Sequence, residues 1–201
     1  MTTQGIPHVS VDELVEQMQQ EFPRFRIVHK RDSTLNKFID VLLRLVTFGA
    51  QSSYMTQYHT VLGDTLYVPD RWDDTPEPDQ WITLRHERVH LRQRRRYGTL
   101  LMSFLYLVPF LPLGLAYGRA RIEWEAYRES LRATARVKGL EVASSEEFRA
   151  YIVEQFTSGA YGWMWPFPKS INRWLDTALA EFEQDQQRTP TSTEQATTRT
   201  R

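Results

Sequence analysis

The 201-residue sequence predicts a mainly helical α+β fold, and three observations lead to this prediction. Several segments repeat apolar residues at helical spacing, and two of them begin with a Ser followed three positions later by a Glu, which is a helix-capping pattern. Few segments have the composition of strands, and two of those flank a Gly-Asp pair as in a β-hairpin. Residues 81–97 contain neither Gly nor Pro, which favours a central helix. We expect a short sheet or edge hairpin packed on this central helix, with further helices towards the C-terminus.

Composition limits the classes of function. The 25 basic and 25 acidic residues give a formal net charge of zero, which does not indicate a nucleic-acid partner. The sequence has no cysteine, so histidine and carboxylate are the ligands available for a metal. The first residues lack the pattern of a secretory signal, so a cytoplasmic protein is expected. We expect a flexible N-terminus at 1–9, a single domain at 10–184 and a disordered, Thr-rich tail at 185–201.

The N-terminal part of the sequence predicts a helix, a strand, a second helix and a hairpin. Their expected bounds are 11–21, 25–30, 33–49, and 54–59 paired with 65–68. Ser10 is the expected N-cap of the first helix, and Pro23 ends it. Gly63 and Asp64 provide a turn in the hairpin. Residues 71–80 are acidic and contain proline, so a loop is expected to lead into the central helix.

The C-terminal part predicts three helices and an aromatic loop. A long helix is expected over 119–137 and ends at Gly139. A second helix follows the capping pattern at 144–147, and the aromatic loop follows it at 159–168. The last helix is expected over 169–184, with its apolar residues on one side.

The central helix contains the sequence HERVH at 86–90, which is an H-E-x-x-H motif. On a helix, positions i and i+4 project from one face about one turn apart, so His86 and His90 can bind one metal ion. Glu87 lies between them, where it can handle a water molecule on the ion without being a ligand itself. The alternative is a half-buried helix in which the two histidines are incidental.

A catalytic zinc usually has three protein ligands and one water molecule. A third histidine at the metzincin spacing is excluded, because Gln93 and Arg96 occupy the Gly and His positions of that pattern. The better candidate is a carboxylate of the next helix. Glu123 and Glu125 lie about 200° apart on that helix, so only one of them can face the ion. We expect Glu123, because it shares its face with partly apolar residues, whereas Glu125 lies among charged residues typical of a solvated face.

On these residues the chain resembles the gluzincin metallopeptidases. In that family the H-E-x-x-H helix is followed by a second helix whose Glu completes the zinc site, often in an E-x-x-A-D or E-x-E-A context. Residues 123–127 (EWEAY) are similar, with Tyr127 where the family often has Asp, which leaves Asp40 or Asp64 as candidates to orient a ligand. The resemblance covers roughly 54–135. It implies a small zincin-like domain whose hairpin edge pairs with an extended peptide substrate.

The resulting hypothesis is a zinc-dependent metallopeptidase acting on peptides or proteins. Three residues are expected to bind Zn²⁺: His86, His90 and Glu123. Glu87 is expected to act as general base and then as general acid on the zinc-activated water. Tyr127 and Tyr161 are the candidates to donate a hydrogen bond to the developing oxyanion. Two alternatives remain open, which are a non-catalytic zinc-containing module and a helical adaptor without metal.

Residues 100–117 form an uncharged apolar segment bracketed by arginines. Its length is borderline for a membrane span, but one span would separate His90 from Glu123 by the thickness of the bilayer. Pro109 and Pro112 would break a helix, which favours a hairpin of two short arms. Core burial, contact with a membrane surface or protein partner, and a hydrophobic lid remain as interpretations. The flanking arginines would suit phospholipid headgroups, and an ordinary solvated helix end explains them as well.

Overall fold

The computed structural model describes residues 9–33, 59–102, 113–158 and 164–188, and most of these are helical. The helices are α1 (Val11–Glu21), α2 (Glu77–Tyr97), α3 (Leu113–Lys138), α4 (Leu140–Ala143), α5 (Glu146–Thr157) and α6 (Pro168–Arg188). The strands are β1 (Arg26–His29), β2 (Thr60–Leu62) and β3 (Thr65–Val68), and short 3-10 turns cover Lys30–Asp32 and Asp70–Trp72. The predicted class, a mainly helical α+β fold with a small sheet, is confirmed.

The sheet has the order β1-β3-β2. β1 runs parallel to β3, with Ile27 opposite Leu66, and β2 runs antiparallel to β3. The predicted hairpin turn is confirmed, and Gly63 adopts the left-handed conformation there (φ 62°). The first hairpin strand is 60–62 rather than 54–59, because a two-residue turn pairs the residues directly beside it. Residues 54–58 lie outside the described residues.

Both predicted capping segments begin a helix, but the second cap lies one residue later than the Ser144-to-Glu147 pattern indicated. The Ser10 hydroxyl accepts a hydrogen bond from the Glu13 N–H at 3.2 Å and begins α1 where it was expected. At α5 the capping hydroxyl belongs to Ser145, which accepts from the Phe148 N–H at 3.2 Å. These bonds satisfy backbone N–H groups that a helix leaves without a partner. The helix expected within 33–49 lies outside the described residues, apart from residue 33.

The central helix α2 begins at Glu77, so the predicted loop at 71–80 is wrong in its last four residues. A proline in the first helical turn and the acidic residues Glu77 and Asp79 favour a helix start here. α2 ends at Tyr97, and the positive φ of Gly98 (81°) stops the helix.

The helices α3 and α6 are both longer than predicted. α3 is already helical at Leu113, before the expected start at 119, and it ends before Gly139, as expected. α6 continues to Arg188, so residues 185–188, expected in the disordered tail, are helical. They contain no Gly or Pro, and a helix can therefore continue through them.

The apolar segment at 100–117 is described only at its two ends. Leu100 is 89 % exposed, whereas Met102 is buried. Residues 103–112 lie outside the described residues, so the three interpretations of the segment stay predictions. Within the part of the chain that is described, no helix has the length and apolar character needed to cross a membrane.

α2 and α3 pack against each other in antiparallel orientation. Asp79 pairs with Lys138 at one end and Arg85 pairs with Glu129 further along, so residue numbers rise on α2 while they fall on α3. One buried apolar cluster joins α1, the sheet and α2, and a second joins α3 to α5 and α6. α3 contributes residues to both clusters. The candidate site lies on this α2–α3 pair.

Candidate metal centre

Three side chains from α2 and α3 converge on one point. His86 and His90 lie one turn apart on α2, and their Nε2 atoms are 3.1 Å apart. The Glu123 Oε2 atom of α3 lies 3.5 Å from the His90 Nε2 atom, and one ligand atom from each residue lies within 4.8 Å of the others. A tetrahedral zinc with ligands at about 2.0–2.1 Å separates its ligand atoms by roughly 3.3 Å. The spacing of this His-His-Glu cluster therefore fits one metal ion.

The two glutamates of α3 have different environments. Glu123 is 8 % exposed and faces the two histidines, as expected. Glu125 is exposed, and its Oε2 atom accepts a hydrogen bond from the Gln93 Nε2 group at 2.9 Å. The helix rotation that buries Glu123 directs Glu125 away from the cluster. Glu123 is thus the carboxylate that the fold brings to the histidines.

Gln93 holds the ring of His90. Its side-chain NH₂ group donates to the Ile122 carbonyl and to Glu125, both at 2.9 Å. Both donors are used, so the amide oxygen faces the His90 Nδ1 atom at 2.9 Å and accepts a hydrogen bond from it. This leaves the Nε2 atom of His90 directed at the cluster. Gln93 is only 3 % exposed, so water does not compete with these contacts.

Ser130 holds the ring of His86 in the same way. The Ser130 hydroxyl lies 3.0 Å from the His86 Nδ1 atom and donates its own proton to the Ala126 carbonyl at 3.3 Å. It therefore accepts from His86 Nδ1–H, which leaves the Nε2 lone pair for a ligand role. Asp64, a predicted candidate for orienting a ligand, instead pairs with Arg94, and Asp40 lies outside the described residues. Helical spacing is the signal that could have identified both residues. Gln93 lies three residues after His90 on α2, and Ser130 lies seven residues after Glu123 on α3.

The ionisable groups of the site perturb one another. Burial and the neighbouring His90 lower the pKa of His86 to about 3. Burial also opposes protonation of His90, but the carboxylates of Glu123 and Glu87 outweigh it and raise the pKa of His90 to about 9. Burial is the main reason why the pKa of Glu87 is raised to about 7. A proton on His90 Nε2 can be donated to His86 Nε2, and a metal cation would compete for the same position.

Of the two tyrosines expected to assist catalysis, only Tyr127 belongs to the described residues. The ring of Tyr127 lies edge-on to the ring of His86, with 4.9 Å between their centroids, and the Tyr127 hydroxyl is hydrogen-bonded to Tyr151. Tyr127 thus packs beside a candidate ligand and also lines the adjoining cavity. Tyr161 lies outside the described residues.

His59 is a cavity residue that the sequence alone does not single out. It contacts Trp72 edge-on at 5.3 Å between ring centroids, and its Nε2 atom is buried with no hydrogen-bond partner among the described residues. Burial, together with the charges of Lys30 and Arg71, lowers the pKa of His59 to about 4, so its imidazole is neutral at neutral pH. The fold brings His59 to the site because β2, which His59 directly precedes, contacts α2.

A cavity of about 720 Å³ adjoins the His-His-Glu cluster. The three members of the cluster and Glu87 line it, and residues 60–63, which include the edge strand β2, form another part of its wall. Its volume is in the range of small-molecule and peptide-residue sites. A reacting group can therefore lie beside both the cluster and the Glu87 carboxylate.

Comparisons of the chain with protein-family models, with curated proteins and with solved structures gave no match. The geometry of the site and the sequence motif are therefore the basis for assigning a function to this protein.

Proposed function

We propose that this protein is a zinc-dependent metallopeptidase with a zincin-like site of the gluzincin type. The observation that carries the proposal is the convergence of His86, His90 and Glu123 beside a cavity that also contains Glu87. Two imidazoles and one carboxylate are the ligand set of thermolysin-type zinc peptidases. The two histidines are already oriented by hydrogen bonds to their Nδ1 atoms, which favours metal binding.

The proposed reaction is the hydrolysis of a peptide bond. Zinc held by the cluster would supply Lewis-acid activation of water and of the substrate carbonyl. Glu87 takes a proton from the attacking water as its oxygen bonds to the carbonyl carbon, and then delivers that proton to the amine as the C–N bond breaks. His59 and Tyr127 line the same cavity and are two candidates to donate to the developing oxyanion.

The edge strand β2 supports a peptide as the substrate. β2 pairs with β3 on one side only among the described strands, and it forms part of the cavity wall. An extended peptide can pair with such an edge through its backbone, which places its carbonyl groups along the cavity. This arrangement is the one that the gluzincin resemblance implies.

The rival proposal is a zinc-containing module without turnover that binds a membrane or protein partner through 100–117. The high exposure of Leu100 and Leu101 in the described part of that segment is compatible with it. Structural zinc sites, however, usually have four protein ligands and no open position. Among the described residues this cluster has three ligands and adjoins a cavity, which favours catalysis.

The first experiment measures zinc per chain by elemental analysis. We expect about one zinc in the wild-type protein and in Glu125→Gln, and much less in Glu123→Gln. Glu125→Gln is the matched control, because it changes a neighbouring carboxylate of the same helix and leaves an oxygen to accept from Gln93. Absence of zinc from the wild type, even after supplementation, would contradict the proposal.

The second experiment separates catalysis from structural binding. Glu87→Gln should retain zinc and lose at least about 100-fold in peptide hydrolysis, because a general base contributes roughly 10²–10⁴-fold. Equal hydrolysis by the wild type and Glu87→Gln, or none by a zinc-loaded wild type across a broad peptide library, would favour the non-catalytic module.

A further inference from the structure

The charges that line the cavity are unevenly distributed. Among the described residues, the only carboxylates in its wall are Glu87 and Glu123, and both belong to the proposed catalytic machinery. Apart from the histidines of the cluster, the remaining charged side chains of the wall are arginines: Arg71, Arg94 and Arg119. The protein as a whole has a net charge of zero, so this excess of arginine is a local property of the cavity.

Two of these arginines lie at the same end of the cavity. Arg94 follows His90 by four residues on α2, and Arg119 precedes Glu123 by four residues on α3. Because α2 and α3 are antiparallel, both positions lie one helical turn from the cluster and in the same direction along the helix pair. A turn of four residues corresponds to about 6 Å along a helix axis.

The position of Arg94 is fixed by the hairpin. Its guanidinium group pairs with Asp64, which follows Gly63 in the turn between β2 and β3. The Arg94 side chain is 23 % exposed, and its Nε group is buried without a hydrogen-bond partner among the described residues. A partly desolvated guanidinium binds a carboxylate more strongly than a fully exposed one does.

We propose that the cavity selects peptides that carry a carboxylate, bound by Arg94 and Arg119, about two residues from the scissile bond. An extended peptide advances about 3.3 Å per residue, so about two residues span the 6 Å between the cluster and the arginines. This inference rests on the proposed peptidase function, and it adds the substrate class. The carboxylate is either an acidic side chain or the C-terminus of the peptide.

The test uses matched peptide sets that differ at one position. Each set has Glu, Gln or Lys at a given position on either side of a cleavable bond, and each peptide is made with a free and with an amidated C-terminus. We expect the zinc-loaded wild type to cleave a carboxylate-bearing peptide at least about tenfold faster, in kcat/KM, than its neutral counterpart. A preference for Glu over Gln identifies a side-chain carboxylate, whereas a preference for the free over the amidated end identifies the C-terminus.

Arg119→Gln and Arg94→Gln should each reduce this preference, so that the ratio of the two kcat/KM values approaches one. Arg121→Gln is the matched control, because Arg121 lies two residues from Arg119 on α3 but is exposed, stacks on Trp174 and does not line the cavity. Circular dichroism of each variant verifies that it folds. Arg94 and Arg119 come from different helices, so a folding defect in one variant leaves the other to test the proposal.

Binding gives a readout that does not depend on turnover. Fluorescence anisotropy with zinc-loaded Glu87→Gln should show that the carboxylate-bearing peptide binds more tightly than its neutral counterpart. This difference should disappear in the double variant that also carries Arg119→Gln. Hydrolysis without any carboxylate preference would overturn the inference and leave the peptidase. Selective binding without hydrolysis by the wild type would support the carboxylate site and contradict the peptidase. If the protein neither binds nor hydrolyses any peptide, the carboxylate site and the peptidase are both contradicted.

Discussion

At the scale of single residues, the His-His-Glu cluster depends on two neutral side chains that bind no metal. Gln93 accepts from His90 and Ser130 accepts from His86, and each lies on one of the two helices that form the site. Both contacts act on Nδ1 and leave Nε2 directed at the cluster. Such outer contacts determine ring orientation and tautomer, and their loss typically weakens metal affinity by about 10- to 100-fold.

Replacing Gln93 by Leu should weaken zinc binding by about 10- to 100-fold, because His90 loses the acceptor for its Nδ1–H. The measurement is a competition titration with a chelator of known affinity. Gln80→Leu is the control, since Gln80 lies on the same helix and donates to the Trp72 carbonyl at 2.8 Å away from the cluster. If Gln93→Leu binds zinc as tightly as Gln80→Leu, Gln93 only joins the two helices.

The sequence predicted the residues of the cluster better than their supports. The i, i+4 spacing of His86 and His90 and the polarity of the two faces around Glu123 and Glu125 are local properties of helices, so they could be read from the chain. The contact of Ser130 with His86 depends on how two helices pack, whereas Gln93 lies three residues after His90 on the same helix and could have been identified from the spacing. Asp64 was expected near a ligand, although it pairs with Arg94, and His59 was not selected at all.

At the scale of elements, an ion-pair network attaches α1 to the helix of the site. The Glu21 carboxylate accepts from Arg88 at 2.7 Å and from Arg92 at 2.6 and 2.9 Å. Hydrogen bonds from Arg92 and then from Arg88 outweigh burial and lower the pKa of Glu21 below its ordinary value of 4.5. The network holds the opposite side of α2 from the His-His-Glu cluster.

Glu21→Gln should reduce the free energy of unfolding at pH 7 by roughly 1 kcal/mol, because the pairs are partly exposed and screened by salt. The pKa of Glu21 is lower in the folded state, so its contribution is present above pH 4.5 and is lost as the pH falls below that value. Urea unfolding at pH 7 and near pH 4 measures the difference. Glu16→Gln, an exposed change on the same helix, should have little effect at either pH. A difference between wild type and Glu21→Gln that stays constant with pH would contradict this assignment.

Local sequence patterns predicted the types of the elements, but they predicted only some of the element ends. The caps at Ser10 and Ser145 and the stops at Gly98 and Gly139 are encoded by one or two residues each. Proline predicts a loop before α2, because it breaks the interior of a helix. In the first turn of a helix proline is favourable, and α2 therefore begins early, at Glu77. The parallel pairing of β1 with β3 joins residues about 40 positions apart, and no local pattern predicts it.

At the scale of the whole molecule, the cluster lies where the two apolar cores meet. α2 belongs to the core formed with α1 and the sheet, whereas α3 also contributes to the core formed with α5 and α6. His86 and His90 come from the first of these helices and Glu123 from the second. A bound ion would connect both cores through one coordination sphere, so metal binding and global stability should be linked.

Zinc should therefore raise the melting temperature of the wild-type protein. An ion that binds only the folded state stabilises it by about 2.7 kcal/mol at 100 times its Kd, which corresponds to a shift of roughly 5–10 °C for a chain of this size. Differential scanning calorimetry with added zinc, and again after excess chelator, measures the shift and its reversal. Glu125→Gln should shift as the wild type does, and Glu123→Gln should shift much less because the link from α2 to α3 is removed. An equal shift in Glu123→Gln would mean that zinc stabilises the fold from a place other than this cluster, and the His-His-Glu assignment would be wrong.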